Sequence, residues 1–247
     1  MAIYDCFQYF NEDHMVDLRL NILNEYVDYF VICESTKTHQ GKNKKINFDI
    51  KKFSKFEHKI KFFVISESTK THQGKNKGIN FDIKKFSKFK NKIKFIVADY
   101  KEEINFTKHT GGESPIEQHQ RNSLIEGLKN ASNEDLVILS DSDEIPDLTK
   151  LSEINNKKKY IAFCQKMFMY KLNLQNLNES NWIGSKITKV KYLKSMQELR
   201  NMKFKNYPFW RIDKFSQQII NGGWHFSFLQ TPDQILNKIK SFSHGEF

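Results

Sequence analysis

The stretch LVILSDSDEIPD, residues 136–147, sets four consecutive apolar residues one serine ahead of Asp141, Asp143 and Glu144 and closes on Pro146 and Asp147. A short apolar run bounded by turn residues reads as a buried strand. Carboxylates at its end then lie at the carboxyl edge of a sheet, where α/β folds bind ligands. Two aspartates one residue apart can share a hard divalent cation, one directly and one through water or a sugar hydroxyl, leaving coordination positions open for phosphate oxygens. The same residues also read as a solvated acidic turn ending in proline.

Outward from this strand the chain alternates. Residues 3–10 read as a short buried strand, and 13–26 place Met15, Leu18, Ile22 and Tyr26 at helical spacing. Residues 27–34 form a second buried strand that ends on the polar loop STKTHQGK. An amphipathic stretch with Ile46, Ile50, Phe53 and Phe56 follows, and then a strand that opens on KIKF. Further on, 95–99 closes a strand and 101–114 is a polar loop with Gly111 and Gly112. Ser114-Pro115-Ile116-Glu117 supplies a hydroxyl cap, a first-turn proline and an acid, the chemistry of a helix start. That helix is expected to run to about residue 130 with Ile116, Leu124, Ile125 and Leu128 inward. Strands are expected at 160–170, 183–190 and 219–228, with a last helix opening at Thr231-Pro232-Asp233. Alternating β and α elements predict an α/β architecture with a largely parallel sheet.

Residues 31–63 and 64–96 are a tandem repeat with 28 of 33 positions identical, differing only at Cys33/Ser66, Lys45/Gly78, Glu57/Lys90, His58/Asn91 and Phe63/Ile96. Two copies are too few for a solenoid, so the repeat reads as a segmental duplication inside one globular domain, 1–247. It also carries the charge. The formal net charge is +11, yet the two copies hold +6 and +7 and the remaining 181 residues sum to −2. The basic character therefore travels with the copied segment, and a nucleic-acid partner loses its main support.

The 38% hydrophobic content, with 22 Phe, is enough to build a core and excludes a disordered chain. No apolar run approaches the roughly 20 residues of a membrane span, and polar residues from Asp5 onward do not make a signal peptide; the expectation is a cytoplasmic protein of unspecified oligomeric state. Cys6, Cys33 and Cys164 lack metal-ligand spacing and read as buried thiols in a reducing compartment.

The segments IYDCFQYFNE (3–12), LRLNILNEYVDYFVICES with THQGK (18–42), QRN (120–122), LVILSDSDEIPD (136–147), QELR (197–200) and GGWHFSFL (222–229) run across almost the whole chain. In order and spacing, apart from the extra repeat unit, they resemble glycosyltransferase family 17, whose best-known members are the β-1,4-mannosyl-glycoprotein 4-β-N-acetylglucosaminyltransferases. The resemblance implies a GT-A-like (Rossmann-like) fold, a nucleotide-sugar donor such as UDP-N-acetylglucosamine, a glycan acceptor, Mn2+ or Mg2+ as cofactor, and inversion at the anomeric carbon.

On that resemblance, Asp141 faces the ribose or a bound water, Asp143 ligates the metal and Glu144 orients both. Glu34 and the loop after it, with Thr38, His39, Gly41 and Lys42, hold the nucleotide. Gln120, Arg121 and Asn122 lie on the helix before the acidic strand, where Arg121 can fork two hydrogen bonds to a phosphate or sugar. In Gly222-Gly223-Trp224-His225, Gly223 lets backbone approach the donor, Trp224 stacks on a sugar and His225 completes the metal shell, with His244 as the competing ligand. Glu198 is the first choice and Asp213 the second for the carboxylate that takes the acceptor proton. Arg200 binds acceptor or phosphates, and Trp182 and Trp210 are candidate sugar platforms. Each of these residues also has an ordinary structural reading as an ion pair, a solvated turn or core packing.

The repeat offers two donor loops, 34–42 and 67–75, for one site; the helix at 13–26 favours the first. A second departure from the family is the ending at Ser-His-Gly-Glu-Phe, which reads as a missing C-terminal tail. Two other readings stand beside the transferase. One is an inactive relic of the family; the other is a haloacid-dehalogenase-like phosphatase, which also places Asp-x-Asp after an apolar strand.

Overall fold

The computed structural model describes residues 1–10, 12–35, 45–68, 93–98, 115–178, 181–204, 216–233 and 235–236. Parallel strands β1 (Ile3–Gln8), β2 (Tyr29–Ser35), β3 (Ile60–Ser68), β4 (Ile93–Ala98) and β5 (Leu136–Ser140) form one half of a ten-stranded sheet in the order β4-β3-β2-β1-β5. The chain leaves β1 toward β2 on one side and returns as β5 on the other, so a crevice opens at the carboxyl ends of β1 and β5. The acidic turn sits there.

Beyond β5 the sheet is mixed, so the expected largely parallel arrangement describes the half from β4 to β5. The remaining strands are β6 (Glu144–Pro146), β7 (Tyr160–Met169), β8 (Trp182–Lys189), β9 (Ser216–Ile219) and β10 (Gly223–Ser227). β8 runs antiparallel to both β5 and β7, while β9 and β10 pair parallel with successive halves of β7. Residues 170–181 join β7 to β8, and the two strands pair antiparallel.

Both sheet faces are covered. Helix α1 (Asp13–Leu23) packs Met15, Val16, Leu20 and Leu23 on the face that carries Phe7, Phe30, Ile32 and Ile138. On the other face Tyr4, Cys6, Val31, Cys33, Val137 and Leu139 meet Leu124 and Leu128, which follow α2 (Pro115–Ser123), and Met196 and Leu199 of α3 (Met196–Asn201). Gly127 makes that layer possible, since a Cβ there would lie 2.4 Å from Val31 Cγ1. The three cysteines are free and buried, as their spacing predicts. No helix among the described residues is long and apolar enough to cross a membrane.

Several local readings need correction. In α1 Leu18 packs against the core as expected, but Ile22 is exposed and the inward face includes Arg19, because a buried carboxylate waits for it on β1. Residues 50–56 keep the expected amphipathic face, with Ile50, Phe53 and Phe56 buried and Ile46 packed beside them, but on a 3₁₀ turn, whose period of three puts residues i and i+3 in line. The helix expected to reach residue 130 becomes 3₁₀ at Leu124–Leu128, which leaves Ile125 exposed. The strand expected at 219–228 is two strands, split where Asn221 takes a φ of 50°. The loop at 101–114 lies outside the described residues, as does most of the last helix beyond its opening bond from Ile235 N–H to Thr231 O.

The repeat lies on the side of the sheet away from β5. β2 carries the start of the first copy, β3 joins the end of the first copy (60–63) to the start of the second (64–68), and edge strand β4 carries the end of the second. Val31 pairs with Phe62, whereas its counterpart Val64 pairs with Lys94, because the β2–β3 ladder has an irregularity between Phe30 and Val31.

Candidate active site

The acidic turn after β5 is a closed turn, with the Glu144 N–H donating to Asp141 O at 3.1 Å. It is held from behind. Asp5 on β1 and Arg19 on α1 are both fully buried and paired twice, Nε to Oδ2 at 2.7 Å and Nη2 to Oδ1 at 2.5 Å. Arg19 Nη1 donates onward to Asp141 O at 3.3 Å and to Glu144 O. The guanidinium also lies 4.8 Å over the Phe7 ring.

Two further arginines reach the turn from in front. Arg200 Nη2 donates to Asp141 Oδ2 at 2.7 Å, and buried Arg121 comes within 3.6 Å of Asp141 Oδ1. Arg121 is itself positioned by Glu117 at 2.8 Å and Gln197 at 2.7 Å, while Asn122 Oδ1 accepts from the Gln197 N–H at 2.9 Å. Gln120 Nε2 donates to Cys33 O near the carboxyl end of β2 at 3.2 Å. The segments QRN and QELR, 76 residues apart from Arg121 to Gln197, are therefore one hydrogen-bonded unit that delivers two guanidiniums to one carboxylate.

Asp143 and Glu144 face different partners. Glu144 is buried; Trp182 Nε1 donates to its Oε1 at 2.7 Å, the Asp141 N–H to its Oε2 at 3.2 Å, and Arg200 stands at 3.8 Å. Burial pushes the Glu144 carboxyl up from its ordinary range, with Arg200 pulling the other way. Asp143 Oδ1 lies 3.7 Å from His225 Nε2, and the His225 ring packs against Trp182 with centroids 4.8 Å apart. β10 brings His225 there by pairing antiparallel with β6, Trp224 opposite Ile145 and His225 opposite Glu144, with the Phe226 N–H donating to Asp143 O at 2.9 Å. Gly223 permits this approach: its φ is 135°, and a Cβ would lie 2.2 Å from Ile145 O.

Behind Arg200, buried Lys186 on β8 donates to Arg200 O and, at 3.1 Å, to Met202 O, which fixes the end of α3. Burial, then the charge of Arg200, lowers its pKa to about 8.

Asp141, Asp143, Glu144, Arg121, Asn122, Arg200, Trp182 and His225 are thus linked through one set of contacts around the acidic turn, with Gln120 beside Arg121 on α2. The expected metal set of Asp141, Asp143 and His225 is not assembled as a threesome: Asp141 turns to the arginines, and among the described residues no three His, Cys, Asp or Glu side chains form a metal cage. The remaining pair is suited to a cation. His225 turns Nε2 toward Asp143 Oδ1 at 3.7 Å, longer than a hydrogen bond and wide enough for an ion between them; its other nitrogen, Nδ1, is buried without a hydrogen-bond partner among the described residues.

Other expected residues sit elsewhere. Trp224 packs against the core on the side of β10 opposite His225. Glu34 is fully buried and accepts from the Asn47 and Phe48 N–H groups, so it ties the end of β2 to the segment that begins at Lys45. Glu198 lies on the exposed side of α3, 3.1 Å from Lys194, and its N–H is capped by Ser195 Oγ. Thr38, His39, Gly41, Lys42, Trp210, Asp213 and His244 lie outside the described residues. Sequence reading missed Asp5, Arg19 and Lys186. The available signal was a charge interrupting an apolar strand or helix face, in IYDCF, LRL and GSKIT.

The model of glycosyltransferase family 17 matches residues 1–62 and 52–246, breaking near the end of the first repeat copy. Among curated proteins none matches the chain significantly.

Proposed function

The chain belongs to glycosyltransferase family 17, and from that membership and the acidic site we propose that it transfers N-acetylglucosamine from UDP-N-acetylglucosamine to a glycan acceptor. The reading includes a GT-A-like fold, dependence on Mn2+ or Mg2+, and inversion at the anomeric carbon. Family membership supports sugar transfer as such. The observation that carries the finer reading is the convergence of the acidic turn, the His225 strand and two arginines on one crevice at the ends of β1 and β5.

Asp143 and His225 are the residues that would hold the cation, a carboxylate oxygen and an imidazole nitrogen that leave positions open to donor oxygens. A divalent cation bound there would neutralise the charge of the departing nucleoside diphosphate. Asp141 acts beside it, oriented by Arg200 and Arg121, as acceptor for a donor hydroxyl or water. Glu144 keeps Trp182 and Arg200 in place. The proton of the acceptor hydroxyl goes to Asp213 or, where the acceptor lies along the exposed side of α3, to Glu198. The first repeat copy supplies the donor loop in this reading, because its strand lies beside β1 while the second copy begins one strand further out.

UDP release from UDP-N-acetylglucosamine with Mn2+, together with donor binding in wild type and Asp143→Ala, tests the proposal. The expected result is metal-dependent binding that weakens by at least about 100-fold in the variant. Binding that ignores both metal and mutation refutes the mechanism, and phosphate release from a monoester in its place points to phosphatase chemistry.

A further inference from the structure

The Asp5–Arg19 pair is buried to zero exposure in the middle of the molecule, yet only part of its hydrogen-bonding capacity is spent on itself. Asp5 uses both oxygens on Nε and Nη2, which fixes the guanidinium plane. The Phe7 ring beneath it prevents tilting. The one nitrogen left, Nη1, reaches the carbonyls of Asp141 and Glu144. These are the two ends of the turn that carries Asp143, and Asp141 O is also the acceptor that closes the turn. A pair serving only to bind α1 to β1 has no need of that extension.

We propose that Asp5 and Arg19 are positioning residues for the reaction: a strut that fixes the backbone of the acidic turn, and through it the direction of Asp143, from the side of the sheet opposite Arg121 and Arg200. Lysine cannot replace arginine, because a single ammonium cannot hold both Asp5 oxygens and both turn carbonyls in one plane. An apolar pair preserves packing, since a buried ion pair exchanged for well-packed hydrophobic residues is often neutral in stability. It abolishes the strut all the same.

The proposal rests on the transferase reading for its consequence but not for its test. Amide hydrogen exchange on the full chain is followed in wild type, Asp5→Val/Arg19→Met and Arg19→Lys. The expected result is exchange at least about 10-fold faster for the Glu144 and Phe226 amides, which close the turn and tie it to β10, with the β1–β5 ladder unchanged. UDP release is expected to fall about 10- to 100-fold, the usual cost of losing an outer-shell support. Unchanged turn amides in a folded variant overturn the strut, as does a uniform rise across the sheet, which marks a purely structural pair. Should the double variant fail to fold, Arg19→Lys decides on the same amides. If wild type releases no UDP, the transferase reading fails while the exchange result still judges the strut.

Discussion

The repeat and the acidic crevice handle charge in opposite ways. In the described part of the first copy, the 3₁₀ turn Ile50–Phe56 buries its three apolar residues and leaves Lys51, Lys52 and Lys55 exposed. Around the crevice, Arg19, Arg121, Glu144 and Lys186 are all buried, each with named partners. A solvated lysine costs little and specifies little. A buried charge is expensive unless its partners are in place, so a cluster of them marks where geometry has been fixed. Lys51, Lys52 and Lys55 carry the first kind of charge, and the crevice is built from the second.

Four experiments press on that contrast. Gly223→Ala strikes the crevice hardest, since the added Cβ meets Ile145 O in a backbone conformation that alanine resists. It should lower stability by about 2–3 kcal/mol in urea unfolding and separate His225 from Asp143. Lys186→Met comes next. Burial depresses the folded-state pKa of Lys186 to about 8 from an ordinary 10.5, so between those values the unfolded chain holds the proton and the folded chain does not. Wild-type stability should therefore rise relative to Lys186→Met as pH climbs from about 8 to 10.5, by about 1–3 kcal/mol, in paired denaturation curves.

The repeat should be far more forgiving. A chain lacking 64–96 joins Phe63 to Val97 and should fold and bind donor as wild type does, by calorimetry; lost binding would transfer the donor loop to the second copy. Glu198→Gln, on the exposed side of α3, should change stability by no more than about 0.5 kcal/mol. A large fall in its turnover with donor binding intact would identify Glu198 as the acceptor-side base.

Sequence reading did best where a single element carried both the apolar pattern and the chemistry. The strand at 136–140 and its acidic end were legible because four buried residues precede the carboxylates, and QRN and QELR were singled out by the family resemblance alone before the fold joined them through Gln197. It did worst where charge lay inside. Arg19 interrupted the stripe of α1 and turned the reading toward Ile22, which is exposed. Asp5 and Lys186 passed as strand residues for the same reason, because pattern rules assign charge to the surface. β6 has three residues, too few for a period to appear, and exists because β10 pairs with it. The break between β9 and β10 depends on Asn221 adopting a left-handed conformation inside an otherwise apolar run.

The seam between the two copies falls in the interior of β3, so each unit ends with half a strand that the next completes. A tract cut that way can gain or shed a whole unit and always regenerate an unbroken strand, much as a bookshelf lengthens by one bay without moving the first. Copy-number variants of this chain should thus differ in width at the β4 margin alone, while the crevice at the ends of β1 and β5 keeps its shape.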